Sequence, residues 1–195
     1  MPRGLARNHE EKRDAIRKAA ALHFAAQGYG HASMASAAKA CGVSKALIYH
    51  YYDSKEALLF DILSDYLGAL VEVVETVSGE GTPEEVLRRL IHAILMQYQD
   101  ADAEHKLQLD ALETLPDDLK RPLIEAQRKI VRRMGAALDA LEPSHLDGRL
   151  REVTMTVFGM LNWFYMWHRP ERGISRADYA DLVTDMVLGG VRGLR

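Results

Sequence analysis

The sequence predicts an all-α fold, and three observations carry that expectation. Alternating runs of Val, Ile and Thr bounded by hairpin turns are absent, so nothing reads as a strand. Apolar residues recur instead at spacings of three and four, the period of a helix face. Capping serines and threonines, together with helix-ending glycines, divide the chain into helix-sized pieces. With 195 residues, 48% hydrophobic and 27% charged, the chain has an ordinary globular composition and can bury a core without covalent staples.

The first predicted helix covers residues 10–27, with Ile16, Ala20, Leu22 and Phe24 apolar, and stops at "GYG", where glycine supplies a left-handed cap. Ser33 caps a short helix that reaches Ala40, and Ser44 caps another over Lys45–Tyr51. "DSKE" (53–56) has capping-box spacing and opens a long helix carrying Leu58, Leu59, Ile62, Leu63, Tyr66, Leu67 and Leu70. That helix ends in "SGEGTPEE", where Thr82, Pro83 and Glu85 start the next by the same logic and carry it to Gln99. Further helices are expected over 103–114 and, after Pro116 and Pro122, over 121–141. "EPSHLDG" separates these from a helix over 149–168, and "RPERGIS" precedes a last one over Arg176–Gly193.

The net charge of −3 hides an asymmetry. Residues 1–56 carry nine Lys and Arg against five Asp and Glu, whereas the remainder carries 16 against 23. A basic head on an acidic body suits a polyanionic partner at one end only. No apolar run approaches the roughly 20 residues that cross a bilayer. "MPRGLARNHEEKRD" has a basic start with no apolar stretch behind it, so a cytoplasmic protein with no membrane partner is expected. The single cysteine, Cys41, excludes an internal disulfide and any multi-cysteine zinc or iron–sulfur site.

Residues 33–51 carry the clearest motif. Two short helices joined through "CGV" have the layout of a helix-turn-helix, whose second member enters the major groove of DNA. Met34, Ala37, Ala38, Val43, Leu47 and Ile48 are expected to face inward. That leaves Ser44, Lys45, Ala46, Tyr49 and His50 outward, toward DNA. The run "YHYY" (49–52) is ill suited to an aliphatic core. It is accounted for if phenols donate to phosphate oxygens while their rings lie on sugar or thymine methyl, with Lys45 and Lys55 neutralising backbone charge.

"GVSKALIYHYYDSKEAL" resembles the signature of the TetR/AcrR family of bacterial one-component transcriptional regulators: Gly-Val-Ser, a small residue, Leu-Tyr, Tyr-Phe, Lys-Glu, Leu. The resemblance covers residues 10–60 and departs at Ala46, where glycine is common, and at Tyr52, where phenylalanine is common. The Ala46 methyl at a DNA surface bears on sequence preference. The family implies a nine-helix, two-part architecture, with a three-helix DNA-binding head at 1–56 and a helical ligand-binding and dimerisation domain at 57–195. It implies a homodimer on the two half-sites of a palindromic double-stranded operator. At matching positions it implies a phosphate contact for Ser33, base or backbone contacts for Lys45, Ala46, Tyr49 and His50, and phosphate clamps for Tyr51 and Lys55.

Residues 153–167, "VTMTVFGMLNWFYMW", are apolar nearly all round, so this helix is expected to be buried on more than one side. The last helix offers Tyr179, Leu182, Val183, Met186 and Val187 on one broad face, with Gly189, Gly190 and Gly193 permitting close backbone approach. Two such helices from each of two chains make a four-helix interface with two-fold symmetry. "FGMLNWFYMWHRPERG" (158–173) is also similar to the C-terminal region of family members that respond to coenzyme A thioesters, including regulators of phenylacetate, fatty-acid and steroid-ring catabolism. "ALIYHYYDSKEALLFDIL" is similar to the phenylacetate group.

An aryl- or acyl-CoA needs an apolar cavity for its acyl part and cations at the mouth for its phosphates. Tyr66, Met96, Met134, Met155, Phe158, Asn162, Trp163 and Tyr165 are candidates for the first, and Arg128, Arg132, Arg133 and Arg169 for the second. The resemblance thus implies a repressor released by a small hydrophobic effector such as phenylacetyl-CoA, and no cofactor. The alternative is a family member that controls efflux or another pathway and answers to a free hydrophobic molecule.

Enzymatic readings have little support. "GYGHAS" (28–33) has no strand before it and lacks the third glycine of a dinucleotide loop, and "GVSKA" lacks the second glycine of a nucleophile elbow. The eight histidines include no His-Glu-x-x-His pair, and the acidic residues before His105 make only a weak metal cluster. Cys41 is expected to pack in the head as a small hydrophobe. The competing class is a helical protein that dimerises, binds small molecules or works as a helical-bundle enzyme without touching DNA.

Overall fold

The computed structural model describes residues 3–141, 146, 148–169 and 171–194; most of "EPSHLDG" (142–148) lies outside them. Among the described residues there are nine α-helices, one 3-10 turn and no strand. The helices are α1 (Arg3–Gln27), α2 (Met34–Ala40), α3 (Lys45–Tyr51), α4 (Lys55–Thr76), α5 (Pro83–Gln97), α6 (Asp102–Ala111), α7 (Asp117–Asp139), α8 (Leu150–Trp167) and α9 (Arg176–Gly193), with the 3-10 turn at Leu112–Thr114. No described helix is long and apolar enough to cross a membrane.

Single side chains decide most helix starts. Ser33 accepts the Ser36 amide at 3.1 Å while the Ser36 hydroxyl accepts the Ser33 amide at 3.0 Å. Thr82 and Glu85 reciprocate in the same way at α5, as do Ser175 and Asp178 at α9. The first amides of a helix have no partner within it, so each cap stabilises by about 1 kcal/mol. At α4 the cap falls one residue later than expected: Ser54, not Asp53, accepts the Ala57 amide at 3.0 Å, and Asp53 stays exposed. Helix α1 begins at Arg3, well before residue 10, and the exposed turn His9 to Lys12 offers no apolar period from which an earlier start could be read. Helix α7 also begins early. Pro116 accepts the Leu119 and Lys120 amides at 3.1 and 2.8 Å, acidic Asp117 and Asp118 occupy the positive end, and Pro122 forfeits one backbone bond without ending the helix.

The chain divides into two compact units. The first gathers the residues up to Leu67 together with Ala101–Ile124, and the second holds Gly68–Asp100 together with the chain from Glu125 onward. In the first unit α1 packs on α2 and α6, burying Ile16, Ala20 and Phe24 with Ala37, Ala38, Ile48, Leu59, Leu63 and Leu107. Deep in it, the Tyr66 hydroxyl and His105 Nδ1 share a 2.7 Å hydrogen bond, both residues being buried. Tyr66→Phe takes this bond from a buried imidazole, an expected loss of about 1–3 kcal/mol. A urea midpoint identical to that of the wild type would refute this.

In the second unit α5 lies along α9, burying Leu87, Leu90, Ile91, Ile94 and Leu95 together with Val183, Val187 and Val191. Along the rim the Arg88 guanidinium forks to Asp181 and Asp185, each at 2.7 Å, and His92 meets Asp181 at 3.0 Å. His92 and then Arg88 hold the Asp181 carboxyl below its usual range. These groups are half-buried or exposed, so they set register more than they add stability. Phe164 anchors α8 to α9: its ring lies 4.6 Å from that of Tyr179, whose hydroxyl donates to the Met160 carbonyl at 3.0 Å.

Candidate nucleic-acid interface

The turn between α2 and α3 is built by backbone bonds. The Gly42 amide donates to Lys39 at 3.1 Å and the Val43 amide to Ala38 at 3.0 Å, closing α2 with Gly42 in the left-handed region at φ 65°. Nothing lies within 4 Å of the position a Cβ would take there. Gly42→Ala therefore costs backbone strain alone, about 1–2 kcal/mol. Thermal melting checks it, and an unchanged transition would contradict it. Ser44 then caps α3 by accepting the Leu47 amide at 3.1 Å.

Helix α3 is held by one fully buried side chain, Ile48. Ser44, Lys45, Ala46, Tyr49 and His50 are all exposed, while Val43 and Leu47, expected to point inward, are half-buried at its margin. The Lys45 ammonium stands 5.9 Å from the Tyr49 ring centre, so a cation and a phenol share one exposed strip. Ser33 is exposed as well, its hydroxyl committed to the cap of α2.

The "YHYY" run divides between surface and core. Tyr49 and His50 face solvent. Tyr51 is half-buried with its ring 4.6 Å from His9 of α1, and Tyr52 is buried and donates to Asp61 Oδ2 at 2.7 Å. Arg13 reaches the same carboxylate through Nε at 3.1 Å and Nη2 at 2.6 Å. One carboxylate thereby joins α1, the end of α3 and α4. Burial first, and then Asp61, push the Tyr52 phenol above its ordinary range, which keeps it a proton donor. Lys55 is also turned inward. Its ammonium donates to the Tyr29 and Ala32 carbonyls at 3.0 and 3.1 Å and stands 4.3 Å from the Tyr29 ring centre. In this conformation it fastens the α1–α2 turn to α4 and is not extended as a phosphate clamp.

The candidate ligand residues divide between the two units. Tyr66 lies in the first unit on His105. In the second unit Met134 and Phe158 are buried, Tyr165 is half-buried, and half-buried Asn162 accepts from the Tyr98 hydroxyl at 2.9 Å. Tyr98 is a buried polar group that the sequence reading missed. Met96, Met155 and Trp163 are exposed. Arg132 is exposed, Arg128 pairs with Glu125 on its own helix, and Arg133 and Arg169 donate to the Val77 and His168 carbonyls at 3.3 and 2.9 Å.

The broad face expected on α9 also splits. Val183 and Val187 pack inside the chain, whereas Leu182 and Met186 stay exposed. Helix α8 buries Thr154, Val157, Phe158, Leu161 and Phe164 but exposes Met155, Trp163, Met166 and Trp167. Each helix thus carries a second apolar stripe that its own chain does not cover.

Residues 16–62 match the family model described as bacterial regulatory proteins, tetR family, and residues 80–191 match the one described as tetracyclin repressor-like, C-terminal domain. The fold is similar to the crystal structure of a TetR-family transcriptional regulator from Bordetella parapertussis 12822, with a TM-score of 0.85 and 34% identity over 90% of this chain and 93% of that one. It is similar to AibR in complex with isovaleryl coenzyme A and operator DNA, with a TM-score of 0.78 and 26% identity over 90% of this chain and 97% of that one. The HTH-type transcriptional repressor KstR2 of Mycolicibacterium smegmatis is 24% identical over 190 residues, 92% of this chain and 90% of that protein.

Proposed function

The chain belongs to the TetR family of bacterial transcriptional regulators, and on that premise we propose that it is a homodimeric repressor seated by α3 on a palindromic operator and released by an aryl- or acyl-CoA thioester of a catabolic pathway. It is a regulator and not an enzyme. The observation that supports operator binding best is α3 itself: a capped helix whose one fully buried side chain is Ile48 and that presents Ser44, Lys45, Ala46, Tyr49 and His50 to solvent. A surface of that composition serves no core, and its cation and phenol suit phosphate and base edges. The uncovered stripes of α8 and α9 suit a second copy of the chain across a two-fold axis, which would set two heads on two half-sites.

The thioester reading draws on AibR, a relative of similar length whose structure holds isovaleryl coenzyme A and operator DNA. A second reading has its own support. Met134 and Phe158 are buried and the Tyr98–Asn162 pair is neutral, a combination suited to an uncharged hydrophobic effector of the kind an efflux regulator answers to. In either case the effector must bind better to a conformer whose heads no longer match the operator, and by a few kcal/mol.

A mobility-shift titration on the DNA upstream of the protein's own gene tests both readings, with phenylacetyl-CoA, a long-chain acyl-CoA, free coenzyme A, the free acids and an uncharged hydrophobic molecule as competitors. Release by one thioester but not by coenzyme A is the expected result. A complex that no thioester relieves removes the coenzyme A reading, and release by an uncharged hydrophobic molecule but not by the free acids establishes the second.

A further inference from the structure

His9 stands where nothing in the fold requires a histidine. It is exposed on α1, yet its ring lies 4.6 Å from that of Tyr51, tilted by 34°, and 6.4 Å from that of His50 at 79°. His50 and Tyr51 are in turn 5.6 Å apart and nearly perpendicular. Two imidazoles from different helices therefore meet one phenol at the end of α3, and one of them, His50, belongs to the exposed surface of that helix. Burial does not explain the arrangement, because both histidines face solvent.

We propose that His9 is a further DNA-contacting residue, and that with His50 it tightens the grip of the head on phosphate as pH falls. The inference rests on the DNA-binding reading above and extends it to a residue outside the helix-turn-helix. An imidazolium against the face of Tyr51 is favoured by the ring quadrupole, and an exposed N–H beyond it can donate to a phosphate oxygen.

The charged groups around the cluster permit this. Arg13, one turn along α1 from His9, and Arg17 both reach Asp61 of α4, and Tyr52 donates to that same carboxylate, so the acid is already compensated. Glu10 and Glu11 follow His9 directly in sequence, and side chains at those spacings do not share a helix face. Lys45 of α3 adds positive charge at every pH of interest, and exposed Asp53 follows α3.

The sign follows from linkage. Phosphate beside an imidazole favours its protonated form, so binding takes up protons, and affinity is greatest at low pH and declines as pH rises through the range where histidine titrates. Each linked proton is worth up to about tenfold in affinity per pH unit.

The test is fluorescence anisotropy of the full-length protein on a labelled upstream fragment at constant ionic strength, at about pH 6 and about pH 8. The wild type is expected to bind about tenfold or more tightly at the lower pH. His9→Gln, which keeps a polar side chain without the charge, should lose a large part of that ratio, and His9→Gln with His50→Gln most of it. His9→Arg, charged at both pH values, should bind more tightly than the wild type at about pH 8, keeping there the share of affinity that His9 supplies at about pH 6. The other head histidines, His31 and His23, the latter bonded to the Ser36 hydroxyl at 2.9 Å, are left unchanged in every variant. Circular dichroism at both pH values keeps misfolding out of the comparison. Equal pH ratios for the wild type and His9→Gln, or a wild type indifferent to pH, overturn the proposal while leaving operator binding intact. A protein that binds no upstream fragment at either pH overturns the DNA-binding reading and this one with it.

Discussion

Glutamate at both Trp163 and Met186 is expected to give a folded monomer with at least about a hundredfold weaker operator affinity, the avidity of the second head being lost. Trp163 is 58% exposed and Met186 59% exposed, so each chain alone tolerates the charges. In a two-fold interface the same residues meet apolar neighbours from both copies, and burying several unpaired carboxylates there costs several kcal/mol. Light scattering reads the mass and anisotropy reads the affinity. A variant that stays dimeric and binds the operator as before would show that these stripes are not the subunit interface.

Replacing Lys45 and Tyr49 together by alanine should have an effect of similar size. Both side chains are exposed, so the melting temperature should scarcely move. Operator binding, in contrast, should fall by at least about a hundredfold, since the proposed interface loses one exposed cation and one exposed phenol at each half-site. The slope of log affinity against log salt should shrink by about one for each lysine removed from the interface. If the doubly substituted protein holds its operator as before, the head does not read DNA through α3, and a helical protein with another task is the better account.

The helix-turn-helix was legible because its signals are local. A capping serine, a glycine able to take positive φ, and an apolar anchor at Ile48 lie within a few residues of the features they create. Where a partner comes from elsewhere in the chain, local pattern fell short. The fate of Tyr52 is decided by Asp61 and Arg13, and that of Lys55 by two carbonyls in the α1–α2 turn, none of which leaves a mark on "YHYYDSKE" itself. The candidate ligand residues show a different limit. An apolar side chain on a helix that is apolar all round carries no sign of whether it serves its own core, a cavity or a second chain, and Met155 and Trp163 proved to be on the outside. The Tyr98–Asn162 bond was equally hidden, its two partners lying far apart in the chain.

The carboxylate of Asp61, shared by Arg13 and Tyr52, has a bearing on the speed of recognition. It clasps the far end of α3 while the Ser44 cap holds the near end, so on the proposed reading α3 meets DNA with both of its ends already fixed. An encounter then spends little conformational entropy, and the arrival rate is set by diffusion and by steering of the basic head toward phosphate. Good and poor operators consequently differ little in how fast the protein lands and mainly in how long it stays.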